Sequence, residues 1–182
     1  IGVAFDGVGY GDDGAVWGGE FLLCQGEAYL RKGHLSYVSL VGGDAASKMA
    51  DRTADCYLHA AGAVEKMRHR DKEMLCRALE THTQTSLYSS MGRLFDAVAS
   101  VLCLCSENTY EGECAISLEN AAAKAREAHL PPEEFSFLIQ RDGEMLLPCA
   151  EKMVLAISDR AVSGGNIYAI ADGFHVAVTK MI

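Results

Sequence analysis

The segment best suited to chemistry is residues 6–14, with the sequence DGVGYGDDG. Its alternating glycines, Gly7, Gly9 and Gly11, leave backbone N–H groups uncovered, so a phosphate could approach the chain directly. The spacing G-x-G-x-G differs from that of dinucleotide-binding turns, and no Gly-Lys-Ser/Thr completes a Walker loop. Because a carboxylate beside a phosphate requires a cation between them, Asp6 is a candidate ligand of magnesium or another divalent metal. The alternative is a mobile hairpin tip with acidic turn residues.

A second candidate segment is SSMGRLFDAVA, residues 89–99. Gly92, Asp96 and Ser100 are spaced at i, i+4 and i+8, which places them in one narrow stripe of a helix. Gly92 would allow a ligand or another backbone to come close, and Asp96 could accept hydrogen bonds from ribose hydroxyls. The alternative is an exposed ion pair between Arg93 and Asp96, which would contribute only a few tenths of a kcal/mol.

The third candidate is the loop that contains Gly112 and precedes a predicted helix. The N–H groups at the start of that helix could hold a polar ligand group, although a simple connecting loop fits equally well. Neither H-E-x-x-H nor G-x-S-x-G occurs in the chain, so no catalytic nucleophile is identified. The motifs therefore indicate nucleotide or phosphate binding.

Strands are predicted to dominate residues 1–43. Ile1, Val3 and Phe5 alternate with small residues, which is strand periodicity. Residues 15–23 predict a second strand, so residues 6–14 are expected to form the turn of a hairpin. Apolar residues between Leu35 and Leu40 predict a third strand, and the sequence thus predicts a three-stranded N-terminal sheet.

Helices are predicted for residues 44–130, with Asp44 as the N-cap of the first, whose apolar residues recur from Met49 to Met67. Further helices are expected over residues 72–82, 91–102 and 114–129. Residues 131–182 predict a short hairpin around Gly143 and then two helices, over residues 149–160 and 167–182. The pattern predicts a single α+β unit over residues 1–182.

Composition excludes several classes of protein. The chain is 49% hydrophobic and 23% charged, as in globular domains, and its 16 basic and 25 acidic side chains give a net charge of −9. That charge disfavours nucleic acid as a partner. No apolar run is long enough for a membrane span, and no signal peptide is visible. Seven irregularly spaced cysteines favour reduced thiols and a cytoplasmic location. The start at Ile1, inside a predicted strand, suggests a piece of a longer polypeptide.

The opening IGVAFDGVGYGDDGAVWGGE resembles a segment of the hydrogenase-maturation carbamoyltransferases, the HypF family. LVGGDAA, SSMGRLFDAVA, YEGECAISLE and FHVAV follow in the order expected for that family. The resemblance covers essentially the whole chain. It implies a partial actin/Hsp70/sugar-kinase-like lobe, related to the enzymes that place threonylcarbamoyl on tRNA, although the charge of −9 disfavours tRNA as a substrate.

The resemblance also implies an activity and its cofactors. Family members use carbamoyl phosphate and ATP to make carbamoyl-adenylate. They then pass the carbamoyl group to the C-terminal cysteine of a HypE-like partner, for cyanide-ligand synthesis in nickel–iron hydrogenase. The implied cofactors are ATP or carbamoyl-adenylate, magnesium with the nucleotide, and iron or zinc as the active-site metal.

Carried over by position, the family's site implies three sets of contacts in this chain. Asp6 would ligate the metal. The backbone around Gly7, Gly9 and Gly11 would face the phosphate or carbamoyl end of the ligand. The nucleotide site would include Gly92, and the ribose and adenine would lie against Asp96 and Gly112.

Two features of the family are missing from the sequence: a metal-binding histidine motif expected before Ile1, and a glycine-rich strand with the last metal ligand expected after Ile182. The remaining metal ligands are therefore expected outside this chain, and we expect the chain alone to be unable to transfer carbamoyl groups. One alternative is an O-carbamoyltransferase lobe that acts on a small-molecule hydroxyl. The other is a non-catalytic nucleotide-binding lobe that forms a homodimer through an exposed apolar face.

Overall fold

The computed structural model describes residues 1–182, apart from the side chain of Asp44. Its seven described strands are β1 (Gly2–Tyr10), β2 (Val16–Gln25), β3 (Ala28–His34), β4 (Val38–Val41), β5 (Thr85–Tyr88), β6 (Ile139–Asp142) and β7 (Met145–Pro148). Its described α-helices are α1 (Ala50–Ala60), α2 (Lys72–Glu80), α3 (Met91–Val101), α4 (Glu113–Glu127), α5 (Ala150–Val162) and α6 (Ile167–Met181). Short 3-10 helices cover Gly43–Ser47 and Val64–Lys66.

All of these strands join one mixed sheet in the order β4-β5-β2-β3-β7-β6, with β1 antiparallel to β2. Between β1 and β2 the register is interrupted. Phe5 lies opposite Gly19 and Gly9 lies opposite Trp17, so four positions along β1 correspond to two along β2. Residues 6–8 therefore form a bulge with two extra residues, and such bulges redirect backbone and side chains away from the ladder.

Helix α3 lies at the centre of the core. Leu94, Ala97 and Val98 are completely buried, and α3 packs against α1, α4 and α5. The helix begins where the hydroxyl of its N-cap, Ser90, accepts a hydrogen bond from the Arg93 N–H at 3.1 Å. This cap satisfies one of the unpaired donors of the first turn. A central, capped helix is a rigid element from which a site can be built.

The predicted α+β class is confirmed, and α2, α3, α4, α5 and α6 begin and end close to the predicted residues. The sheet is larger than the predicted three-stranded one. Strands from all three predicted segments, residues 1–43, 44–130 and 131–182, pair in it. β3 and β5 were not predicted. AYLRKGH contains Arg, Lys and Gly and shows little alternation of apolar and polar residues, and TSLY is only four residues long.

Three local predictions are corrected by the structure. Residues 6–14 do not all form a turn, because β1 continues to Tyr10. The chain reverses between Gly11 and Ala15, where the Gly11 N–H donates to the Ala15 carbonyl oxygen at 3.0 Å. The strand predicted from Leu35 is β4, and it begins at Val38. α1 ends at Ala60, because Gly62, with φ of +79°, turns the chain before Met67. The side chain of Asp44, predicted as an N-cap, lies outside the described residues.

Among the described residues, no helix is both long and apolar enough to cross a lipid bilayer.

Candidate functional site

A hollow of about 450 Å³ separates the β1 bulge from the loop that precedes α4. Its lining comes from four parts of the chain: residues 6–8, 47–48, 93 and 108–112. Asp6, Gly7 and Gly112, three of the predicted site residues, therefore border one hollow.

The first wall of the hollow is the bulge, which the start of α3 holds in place. The Ser90 hydroxyl lies 3.1 Å from the carbonyl oxygen of Asp6 and 2.7 Å from that of Gly7, and donates to this pair of acceptors. A Cβ added at Gly92 would lie only 2.8 Å from the Gly7 Cα. The close approach predicted at Gly92 is therefore the approach of another backbone, that of the bulge.

Asp6 is exposed at this wall. Its Oδ1 accepts a hydrogen bond of 2.6 Å from the Gly7 N–H, which leaves the second carboxylate oxygen for other contacts. Gly9 and Gly11 do not line the hollow. A Cβ at Gly9 would lie 2.8 Å from the Trp17 carbonyl oxygen, and one at Gly11 would lie 2.1 Å from the Trp17 Nε1. In this structure these two glycines make room for β2.

Asp96 is 1% exposed and does not itself line the hollow, but its two partners, Arg93 and Asn108, do. One of its oxygens faces the Arg93 Nη2 at 2.9 Å, and the other accepts from the Asn108 Nδ2 at 3.1 Å. Burial raises the pKa of Asp96, and the nearby Arg93 and the Asn108 hydrogen bond oppose this shift. The ion pair between Arg93 and Asp96 that was considered from the sequence does form. The prediction that this pair is exposed is wrong, because both side chains are buried.

The second wall is the loop of residues 108–112 together with the start of α4. Gly112 is the N-cap, with φ of +80°, a left-handed conformation that favours glycine. The Thr109 N–H and hydroxyl both donate to a Glu113 carboxylate oxygen, at 2.6 and 2.7 Å, and these bonds lower the pKa of Glu113. Gly112 thus brings the partial positive charge of the α4 N-terminus to the hollow.

The charged side chains of the hollow are of both signs. Asp6 and Glu111 are acidic, whereas Lys48 and Arg93 are basic. Among the described residues, the Nε and Nη1 of Arg93 are buried without a hydrogen-bond partner, and an unpaired buried donor of a charged group raises the free energy of the folded state. The combination of acidic and basic side chains in the hollow suits a ligand that carries both an anionic group and neutral polar groups.

The described residues do not by themselves complete a metal site. Among the side chains that the structure describes, no group of three or more His, Cys, Asp and Glu is placed to hold a metal ion. The exposed carboxylate of Asp6 could supply one ligand, but a single carboxylate does not hold an iron or zinc ion. We therefore derive no chemical step through a metal.

A buried polar cluster next to the bulge was missed by the sequence analysis. The carboxylate of Glu20 accepts hydrogen bonds from the Ser89 hydroxyl at 2.5 Å and from the Arg31 Nε at 2.6 Å. The Arg31 guanidinium in turn lies 4.0 Å above the Trp17 ring. These contacts fix β2 to the residue before the α3 N-cap. The only signal in the sequence was an acidic residue in the apolar strand VWGGEFLLCQ.

Arg93, Asn108 and Lys48 also line the hollow without having been predicted as site residues. Arg93 was considered only as half of a surface pair, and its position one residue after Gly92 was the available signal. Asn108 lies in a short polar loop, where a structural and a functional asparagine have the same appearance.

A protein-family sequence model, described as the second subdomain of the carbamoyltransferase Kae1-like domain, matches residues 2–182. The chain belongs to the HypF carbamoyltransferase family. This HypF-family chain is 32% identical over its whole length to a carbamoyltransferase HypF homolog of Cupriavidus necator, of which it covers 48%. It is 31% identical to carbamoyltransferase HypF of Synechocystis and covers 26% of that protein. The chain thus spans about half or less of the length of these curated relatives.

Solved HypF structures have the same fold. The whole HypF-family chain superimposes on 24% of a full-length HypF in its phosphate- and nucleotide-bound form, with a TM-score of 0.88 and 30% identity. It also matches T. kodakarensis HypF with a TM-score of 0.78 over 97% of this chain and 24% of that chain. The predicted resemblance to the HypF family is therefore confirmed.

Proposed function

We propose that the hollow between the β1 bulge and the α4 N-terminus is part of the nucleotide site of a carbamoyltransferase that uses carbamoyl phosphate and ATP through carbamoyl-adenylate. The observation that carries this proposal is the placement of Asp6, Gly7 and Gly112 around one hollow in a HypF-family chain. A similar solved HypF binds phosphate and a nucleotide, which supports the same ligand class for this chain.

The proposed chemistry of the hollow is electrostatic stabilisation. Lys48 and Arg93 provide positive charge for phosphate oxygens beside Gly7, and the N-terminus of α4 provides a fixed dipole on the side of Gly112. Dipoles fixed by packing stabilise developing charge without first having to reorganise, which is how they lower a barrier. We assign Gly112 and Asp96 to the side of the ribose and adenine. Asp96 would act there from beneath Arg93 and Asn108, and the roles of Gly9, Gly11 and Gly92 as direct ligand contacts stay predictions.

The active-site metal and the acceptor are part of the same proposal. We assign Asp6 as one metal ligand and expect the others outside this chain. The acceptor would be the C-terminal cysteine of a HypE-like partner protein in the cytoplasm. Because the chain covers only part of its relatives, we expect that it cannot complete carbamoyl transfer alone. An O-carbamoyltransferase would share the hollow and differ in its acceptor.

Calorimetric titration of the 182-residue chain with ATP and Mg²⁺ tests the proposal. We expect Asp6→Asn to weaken ATP–Mg²⁺ binding by about tenfold, since its exposed carboxylate lines the hollow in which the nucleotide and its cation would bind. Asp142→Asn, an exposed aspartate in β6, is the control and should bind as the unmodified chain does. Absence of binding by the unmodified chain, or equal binding by both variants, would contradict the proposal. Submicromolar binding of iron or zinc by the chain would show that ligands outside it are dispensable.

A second candidate function, the oligomerising lobe, is favoured by an apolar groove elsewhere on the surface. This groove of about 390 Å³ lies among β2, β3, β6, β7 and the end of α6, and Phe21, Leu146 and Met181 line it. Exposed apolar grooves of this kind mark contact surfaces. Sedimentation equilibrium distinguishes this candidate, since a homodimer is expected only if the groove is covered by a second copy.

A further inference from the structure

The side-chain amide of Asn108 connects three separate segments around the hollow. Its Nδ2 donates to the Ser47 carbonyl oxygen at 2.9 Å and to the Asp96 Oδ1 at 3.1 Å. Its Oδ1 accepts from the Cys114 N–H at 2.8 Å, and its own N–H donates to the Lys48 carbonyl oxygen at 2.7 Å. A primary amide has two N–H donors, and both are used here. Asn108 thus ties the end of the 3-10 helix, the middle of α3 and the first turn of α4.

Helix α3 holds both walls of the hollow through two of its polar residues. Ser90, at its start, holds the carbonyl groups of the bulge, and Asp96 holds Asn108 at the head of the opposite loop. These residues are six positions apart, which corresponds to about 9 Å along the axis of an α-helix. Because most residues of α3 are buried against α1, α4, α5 and β1, this spacing does not vary with the surface loops. The separation of the two walls therefore depends on the bonds of Asn108.

The buried charges beneath Asn108 make this dependence strong. Asp96 has one oxygen on Arg93 and the other on Asn108, and both partners are buried. Loss of the amide would leave an oxygen of Asp96 and the Cys114 N–H in need of new partners. Buried polar groups recover partners by moving or by admitting water, and either response releases the loop of residues 108–112.

We infer that Asn108 is a positioning residue of the nucleotide hollow, which holds the loop of residues 108–112 at a fixed distance from the β1 bulge. A ligand that touches both walls, such as an adenine nucleotide, depends on that distance. A small anion such as inorganic phosphate, which contacts one wall, does not. The ligand class in this inference rests on the proposed function, whereas the position of the loop does not.

Two substitutions separate this role from a general loss of structure. Asn108→Ala removes all of the amide contacts. Asn108→Asp keeps the size and the acceptor for Cys114 but removes the two donated bonds and places a second carboxylate beside Asp96. Asn120→Ala, an exposed asparagine on α4, is the matched control. Hydrogen exchange of the backbone amides of residues 109–114 reports the loop, and titration with ATP–Mg²⁺ and with inorganic phosphate reports the hollow.

We expect the loop amides to exchange at least tenfold faster in both Asn108 variants, with the amides of α5 unchanged. The ATP dissociation constant should rise about tenfold while that for phosphate stays within a factor of two. Unchanged loop exchange in a folded Asn108 variant overturns the inference, and so does a parallel loss of ATP and phosphate affinity. If the unmodified chain binds neither ligand, the proposed function fails, and the exchange experiment by itself decides whether Asn108 holds the loop.

Discussion

Gly92→Ala is the sharpest test of how the hollow is built, because two physical effects predict opposite signs. Gly92 lies in the first turn of α3, and replacing a helical glycine by alanine ordinarily stabilises a protein by about 0.8–1.0 kcal/mol. Here the new Cβ would lie 2.8 Å from the Gly7 Cα and 3.4 Å from the Gly7 nitrogen. These are backbone atoms, which cannot rotate away as a flexible side chain could.

The magnitude follows from what must move. Overpacking costs about 1–3 kcal/mol, and displacing the bulge also weakens the one hydrogen bond that the Ser90 hydroxyl shares between the carbonyls of Asp6 and Gly7, which is worth about 1 kcal/mol. After the gain in helix propensity, we expect Gly92→Ala to destabilise the chain by about 1–3 kcal/mol. For a domain of this size that corresponds to a fall in Tm of about 2–12 °C.

The assay is thermal and urea unfolding followed by circular dichroism, with Gly7→Ala as the matched control on the other side of the contact. A Cβ at Gly7 would meet only the Arg93 Nη2, at an ordinary 3.8 Å. We therefore expect Gly7→Ala to change the free energy of unfolding by less than about 1 kcal/mol. A Gly92→Ala chain that is more stable than the unmodified one would refute the reasoning, since helix propensity alone would then account for the result.

Two further predictions concern the polar cluster beside the bulge. Arg31→Ala should lower the free energy of unfolding, measured in urea, by about 3 kcal/mol, because it leaves the carboxylate of Glu20 buried without its cation. The control Lys32→Ala breaks an exposed pair with Glu144 and should lower it by less than about 1 kcal/mol. Equal effects of the two substitutions would show that burial of the Glu20 pair is unimportant. Although burial raises the pKa of Asp13, hydrogen bonds from Tyr37, Ala15 and Trp17 and the charge of Arg31 lower it to about 2 from 3.8. A depressed pKa stabilises the fold above the unfolded value and loses that contribution as the pH falls from about 4 to 2. The difference in stability between the unmodified chain and Asp13→Asn should therefore shrink over this range, and a difference that stays constant between pH 5 and pH 2 would contradict the assignment. Since Asp13 is partly exposed, we expect that difference to be about 1 kcal/mol or less.

The elements that carry the site could be predicted because their signals are local. Apolar residues at helical spacing and a serine N-cap define α3, and a loop ending in Gly112 defines the start of α4. The strands β3 and β5 could not be predicted in the same way. Each is stabilised by its neighbours in the sheet, β5 by pairing with β2 and β4, more than by its own residue preferences.

The sequence by itself determined the candidate ligand class, from its alternating glycines and its acidic residues, and the family, from the resemblance of its ordered motifs to those of known members. Only the tertiary structure decided which of these residues meet. Ser90 and Asp6 are 84 positions apart, and their contact exists because β1 and α3 pack together. The same packing buries Arg93 and Asp96, makes Asn108 the connection between two walls, and leaves Gly9 and Gly11 against β2. Spacing along a chain fixes which face of a helix or strand a residue occupies, but the partner across that face is set by long-range packing.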